Sequence, residues 1–155
     1  MSRIIYKRGD LFAQSGEDKI LVHACNCKGV WGSGIAVEFA KRFPFAHADY
    51  VRLCSTNNKQ LLGMGLHHHF PLMGEQRIGY LFNSFGYGKF VDPPETILRN
   101  TENAVECLLN ITPDNIEIHS PRINSGKFGV PWEQTEAIVN KALERRNRTW
   151  IVWTP

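Results

Sequence analysis

Apolar positions along the chain fall into short runs and helical stripes that alternate along its length. Ile4–Lys7 reads as a short first strand. Lys19–Ala24 (K-I-L-V-H-A) is a compact apolar run of the kind a sheet covers on both faces, so it reads as an interior strand. Gly34–Phe43 places Ile35, Ala36, Phe39, Ala40 and Phe43 at helical spacing, and Pro44 ends that helix. Ala46–Ser55 predicts a second short helix. Leu66–Phe70 and Ile78–Ser84 read as strands on either side of a turn. Asp92-Pro93-Pro94-Glu95 predicts a helix start, with Asp92 as cap, Pro93 at the first helical position and Glu95 completing a capping box. Ile97, Leu98, Thr101, Ala104, Val105, Leu108 and Leu109 then share one face. Ile116–His119 reads as a strand and Pro131–Arg146 as a helix with Trp132, Thr135, Ile138, Val139, Ala142 and Leu143 inward. Trp150–Trp153 reads as a closing strand.

The order β-β-α-α-β-β-α-β-α-β predicts an α/β fold, a mixed sheet with helices on both faces. Ligands of such sheets sit outside the carboxyl ends of the strands, which directs attention to strand-to-helix loops. No repeat and no linker divides the 155 residues, so residues 1–155 read as one domain.

Composition narrows the function classes. A net charge of +3 permits an anionic ligand and falls short of a duplex-binding footprint. No basic-then-apolar leader is visible, nor a run of about 18 apolar residues, so the expectation is a soluble cytoplasmic or nuclear protein without membrane contact. Cys25, Cys27, Cys54 and Cys107 lack disulfide-framework spacing and read as reduced thiols; Cys25-x-Cys27 alone falls short of a zinc site.

Two glycine-rich loops carry the candidate chemistry. The first, His23-Ala24-Cys25-Asn26-Cys27-Lys28-Gly29-Val30-Trp31-Gly32-Ser33-Gly34-Ile35-Ala36, leaves a buried strand and enters a helix. Its glycines let backbone N–H groups approach an anion, and the helix start adds partial positive charge, so a diphosphate is its natural occupant. The spacing G-x-x-G-x-G matches neither the Walker A loop nor G-x-G-x-x-G. The second, Asn124-Ser125-Gly126-Lys127-Phe128-Gly129-Val130-Pro131-Trp132, also joins a strand to a helix. There Phe128 reads either as a stacking surface for a sugar or base, or as a core anchor. An acidic corner, Gly9-Asp10, follows the first strand. Its carboxylate either accepts from an exocyclic amine such as adenine N6 or serves the turn.

These residues, in this order, resemble the macrodomain family, which binds ADP-ribose, and especially its small fungal ADP-ribose 1″-phosphate phosphatases. The stretches H-x-C-N-C-x-G-x-W-G-x-G-I-A and I-N-S-G-x-F-G-V-P-W-x-x-T-E stand here as His23–Ala36 and Ile123–Glu136. The resemblance implies a three-layer α/β/α fold with a six-stranded mixed sheet. It places Gly9 and Asp10 at adenine. Trp31, Gly32, Ser33, Gly34, Ile35 and Ala36 would hold the diphosphate, with Ile123, Asn124, Ser125, Gly126, Lys127, Phe128 and Gly129 facing them. It sets Asn26 beside the distal ribose, with Phe128 near it, and Ala24 and Cys25 on the same wall. A second branch of the family removes ADP-ribose from acidic side chains with a lysine and an aspartate; Ser84 or Phe85, and Phe128, stand at those positions here. Ser33 replaces a glycine common in the family, and Lys127 stands where an apolar residue is frequent; it either adds charge near phosphate or points into solvent.

Phosphate monoester hydrolysis needs an in-line nucleophile and stabilised charge on the phosphoryl oxygens. Cys-x₅-Arg, Asp-x-Asp and Gly-x-Ser-x-Gly are all absent, so water is the expected nucleophile, positioned by Asn26. His23 is the candidate base, against the alternative of a hydrogen-bonded core histidine. His67-His68-His69 reads as solvated or packed rather than as a metal site, because strand alternation separates His68 from the other two. Arg145, Arg146 and Arg148 offset a helix C-terminus, and Trp150 and Trp153 read as packing residues. The expectation is a phosphatase acting on ADP-ribose 1″-phosphate, needing no cofactor or metal and acting as a monomer, with nucleic acid disfavoured. The alternatives are removal of ADP-ribose from acidic residues of proteins, and a non-catalytic ADP-ribose reader.

Overall fold

The computed structural model describes residues 2–155. Strands β1 (Ile4–Arg8), β2 (Lys19–Asn26), β3 (Gly65–Phe70), β4 (Gln76–Ser84), β5 (Glu117–Ser120) and β6 (Trp150–Thr154) form one sheet in the order β1-β6-β5-β2-β4-β3. Every neighbouring pair is parallel except β3–β4, which is an antiparallel hairpin. Helices α1 (Ile35–Arg42), α2 (Pro44–Leu61), α3 (Pro94–Ile111) and α4 (Trp132–Arg146) complete the fold.

Alternation along β2 splits the core into two layers. Ile20 and Val22 face α3 and α4, where Ala104, Val105, Leu108, Val139 and Leu143 pack with Trp150. Leu21 and Cys25 face α1 and α2, where Phe39, Phe43, Tyr50, Tyr80 and Phe82 pack. The expected three layers are therefore present. The sheet's central strands carry apolar residues on both faces because both faces are covered.

Strand and helix boundaries lie close to those expected, with three differences. The second helix runs to Leu61 rather than Ser55, eighteen residues in all. Its polar C-terminal half (Thr56, Asn57, Asn58, Lys59, Gln60) hides it from a reading based on apolar stripes. Pro44, expected to stop α1, opens α2, where its missing N–H leaves no bond unmade. Asp92 does not cap α3. The helix begins at Pro94 with Pro93 before it, and the Asp92 carboxylate instead accepts from Phe85 N at 2.8 Å. Asp92 N in turn donates to Ser84 Oγ at 3.0 Å, pinning the segment that follows β4.

The three histidines of β3 take separate partners. His68 pairs with the Asp49 carboxylate, His69 with Glu75 at 2.6 Å, and His67 meets Ile111 O at 3.4 Å. No helix is long and apolar enough to cross a membrane among the described residues.

Candidate functional site

Because β1, β2, β4, β5 and β6 run the same way, their carboxyl ends share one rim. A cavity of about 860 Å³ opens there, within the size range of small-molecule sites. Both glycine loops line it. From the first come Trp31 to Ala36, and from the second Asn124 to Phe128, with Ala24, Cys25 and Asn26 between them. The loops face each other closely. A Cβ added to Gly34 would stand 4.0 Å from Lys127 Cγ. Gly34 itself has φ +60°, which a side chain tolerates poorly, and it leads directly into the first turn of α1. The start of α1 therefore opens on the cavity with its free N–H groups. Gly129, at φ +71°, closes the second loop before α4.

The charged side chains of the lining have one sign. Arg122 and Lys127 line the cavity, and among the described residues no aspartate or glutamate does. Backbone N–H groups and two cationic side chains, with no acidic side chain among the described lining residues, suit a polyanion.

Asn26 organises the first loop from within. Its Oδ1 accepts from Lys28 N at 2.9 Å, Val30 N at 3.4 Å and Tyr50 Oη at 2.8 Å, while Nδ2 donates to Val30 O at 2.7 Å. An amide nitrogen carries two protons, so one N–H of this cavity-lining residue is not taken by the protein. Trp31, also a lining residue, stacks on Tyr50 with ring centroids 4.6 Å apart and planes at 15°.

Asn124 borders the cavity too, and its side chain does the equivalent work beneath the second loop. It is buried, with φ +69°. Its Nδ2 donates to Thr101 Oγ1 at 2.9 Å on α3 and to Thr135 Oγ1 at 3.1 Å on α4. Its Oδ1 accepts from Asn83 Nδ2 at 2.9 Å on β4. Both donors and the acceptor are thus engaged, and the loop above is anchored to three elements at once. Ile123 borders the cavity but belongs to the apolar core.

His23 also departs from expectation. It is 1% exposed and its ring stacks on Phe39 at 3.9 Å and 13°. Burial lowers its pKa to about 3, so the imidazole is neutral and has little affinity for a proton at neutral pH. Nε2 meets Cys25 Sγ at 3.7 Å, while Nδ1 has no partner, so no carboxylate orients the ring as a base. The structure makes it a core histidine at the cavity floor. Burial likewise raises the Cys25 thiol well above its ordinary range and that of Cys27 to about 12, which removes a thiolate nucleophile.

Gly9 and Asp10 are not lining residues. Gly9 N donates to Thr154 O at 2.8 Å and Asp10 Oδ1 accepts from Phe12 N at 2.9 Å, so the corner sits beyond the β6 end of the cavity and its carboxylate caps the following turn. Phe128 is half-buried and does line the cavity. So do Tyr87, Gly88, Pro121, Arg122, Trp153, Thr154 and Pro155, none of which the sequence reading placed there. The available signal was topological, since each follows or ends a strand whose carboxyl end reaches the same rim. Trp153 is more than a packing residue: it walls the cavity while its Nε1 donates to His119 Nδ1 at 2.8 Å.

Residues 22–139 match the family model of the macro domain. The ADP-ribose 1″-phosphate phosphatase of Lodderomyces elongisporus is 38% identical over 149 residues, covering 88% of this chain and 90% of the relative. The ADP-ribose 1″-phosphate phosphatase of Debaryomyces hansenii is 37% identical, covering 96% and 99%. The macrodomain of Mycobacterium tuberculosis DarG superposes with a TM-score of 0.78 at 20% identity, covering 100% of this chain and 99% of that one. With the family model spanning most of its length and these relatives matching it nearly end to end, the chain belongs to the macro domain family.

Proposed function

We propose that this chain is a phosphatase that hydrolyses ADP-ribose 1″-phosphate to ADP-ribose and inorganic phosphate. The observation that carries the reading is the near full-length match, at 38% and 37% identity, to relatives named for that activity. The cavity agrees with such a substrate: two opposed glycine loops, Arg122 and Lys127, and no acidic side chain among the described lining residues.

Water attacks phosphorus, the bond from phosphorus to the 1″ oxygen breaks, and the electron pair stays with that oxygen. The proton lost by water passes through a phosphoryl oxygen to the leaving 1″ oxygen. A largely dissociative transition state asks little of a protein base, which fits a wall whose histidine is buried and neutral. The chain's own contribution is to orient the phosphate and neutralise its charge through loop N–H groups, Lys127 and Arg122.

Removal of ADP-ribose from acidic side chains has less support. At the positions of that branch's lysine and aspartate stand Ser84, whose hydroxyl is tied to Gly86 O at 2.8 Å, or Phe85, and the aromatic Phe128. The test is phosphate release from ADP-ribose 1″-phosphate, with ADP-ribose binding measured by calorimetry on the same protein. Multiple turnovers are expected. Tight binding without release would refute the phosphatase and leave a reader or an ADP-ribosyl hydrolase.

A further inference from the structure

The side of the first loop away from the cavity is held by α2, through His47, Tyr50, Val51 and Cys54. Tyr50 is fully buried (0% exposed) and meets the loop twice. Its ring stacks flat on Trp31, and its Oη lies 2.8 Å from both the backbone O and the side-chain Oδ1 of Asn26. Burial keeps the phenol protonated, so it is a standing donor.

We propose that Tyr50 is a positioning residue: its hydroxyl fixes the Asn26 carboxamide so that the uncommitted Nδ2–H is presented to the ligand in the cavity. A carboxamide can turn end for end. Donors from Lys28 N and Tyr50 Oη on one side, and the Val30 carbonyl on the other, allow only the orientation with Oδ1 inward and Nδ2 available. Tyr50 is the one side chain among those three partners, and it reaches the loop from another element, so it supplies the part of this lock that the loop cannot make for itself. The same residue, with His47 of α2, stacks on Trp31, the last side chain before the Gly32-Ser33-Gly34 turn. The inference rests on the reading of this cavity as the ADP-ribose site.

The substitution Tyr50→Phe keeps the ring and removes the hydroxyl. The control is Tyr80→Phe, which removes a buried hydroxyl of the same core layer bonded to Ala46 O and Asp49 instead of Asn26. The expected result is a loss of about tenfold in ADP-ribose affinity for Tyr50→Phe and less than twofold for Tyr80→Phe, a ratio in line with one hydrogen bond to a positioned group. Equal losses in the two variants, or none in Tyr50→Phe, would overturn the inference. A second measurement needs no variant. In the wild-type protein the Asn26 side-chain amide should give two dispersed proton resonances, of which one shifts on adding ADP-ribose. If neither moves, the Nδ2–H does not meet the ligand and the inference fails, whether or not Tyr50→Phe folds. Binding without phosphate release refutes the phosphatase alone, whereas wild-type protein that binds no ADP-ribose overturns both readings.

Discussion

Replacing His23 by phenylalanine tests the most consequential departure from the sequence reading. Phenylalanine keeps a flat ring against Phe39 and removes the titrating group. In the native state the imidazole has a pKa of about 3, against 6.5 when exposed, because burial penalises its charged form. Between those values the unfolded chain binds a proton at this site and the native chain does not. Stability conferred by the wild-type residue is therefore fully present above pH 6.5 and falls as pH drops toward 3. The slope is about 1.4 kcal/mol per pH unit for one proton, so the wild type loses about 2 kcal/mol by pH 5 and about 3 kcal/mol by pH 4 relative to pH 7.5. The assay is urea unfolding of both proteins at pH 7.5, 6, 5 and 4. The phenylalanine variant should gain on the wild type by those amounts as pH falls, whatever its stability at pH 7.5. Turnover should agree: kcat/KM of the wild type should lack an inflection near pH 6.5 belonging to a free-enzyme base. A stability difference that stays constant with pH, or an inflection near 6.5 that disappears in the variant, would refute the argument from burial and restore His23 as the base.

Two further outcomes follow from the loops. Asn124→Ala strands Asn83, Thr101 and Thr135 without their shared partner and forces alanine into a left-handed conformation, so a loss of about 3 kcal/mol or more is expected in chemical denaturation. Asn124→Gly should recover about 1 kcal/mol of that, because it removes the backbone strain and not the lost bonds. Lys127→Glu reverses one of the two cavity cations and should lower kcat/KM for a phosphorylated substrate at least tenfold, with the deficit shrinking as salt rises; an unchanged kcat/KM would place Lys127 in solvent.

The chain pattern by itself determined the layers. The buried run Lys19–Ala24, the stripe from Ile97 to Leu109 and the glycines at Gly32, Gly34, Gly126 and Gly129 are local signals, each written within one element or turn. Periodicity and glycine placement therefore announce six strands, four helices and two anion-binding loops, and the two loop motifs carry the family resemblance. What a side chain does inside that frame depends on partners far away in the chain. The family resemblance places Asn26 and Asn124 at the ligand. The fold brings Tyr50 to the first, and Asn83, Thr101 and Thr135 to the second, converting one into a lock with a single free N–H and the other into an anchor. His23 reads as a base from its pKa in water, and only the stacking of Phe39 and the closure of α1 over it make that value irrelevant. Asp92 has an acceptor that the sequence assigns to a helix cap and the tertiary structure gives to Phe85 N, since a hydrogen bond goes to whichever donor the fold brings within 3 Å. Trp153 and Arg122 join the cavity for the same reason: the parallel register of β2, β5 and β6 carries strand ends distant in sequence to a single rim.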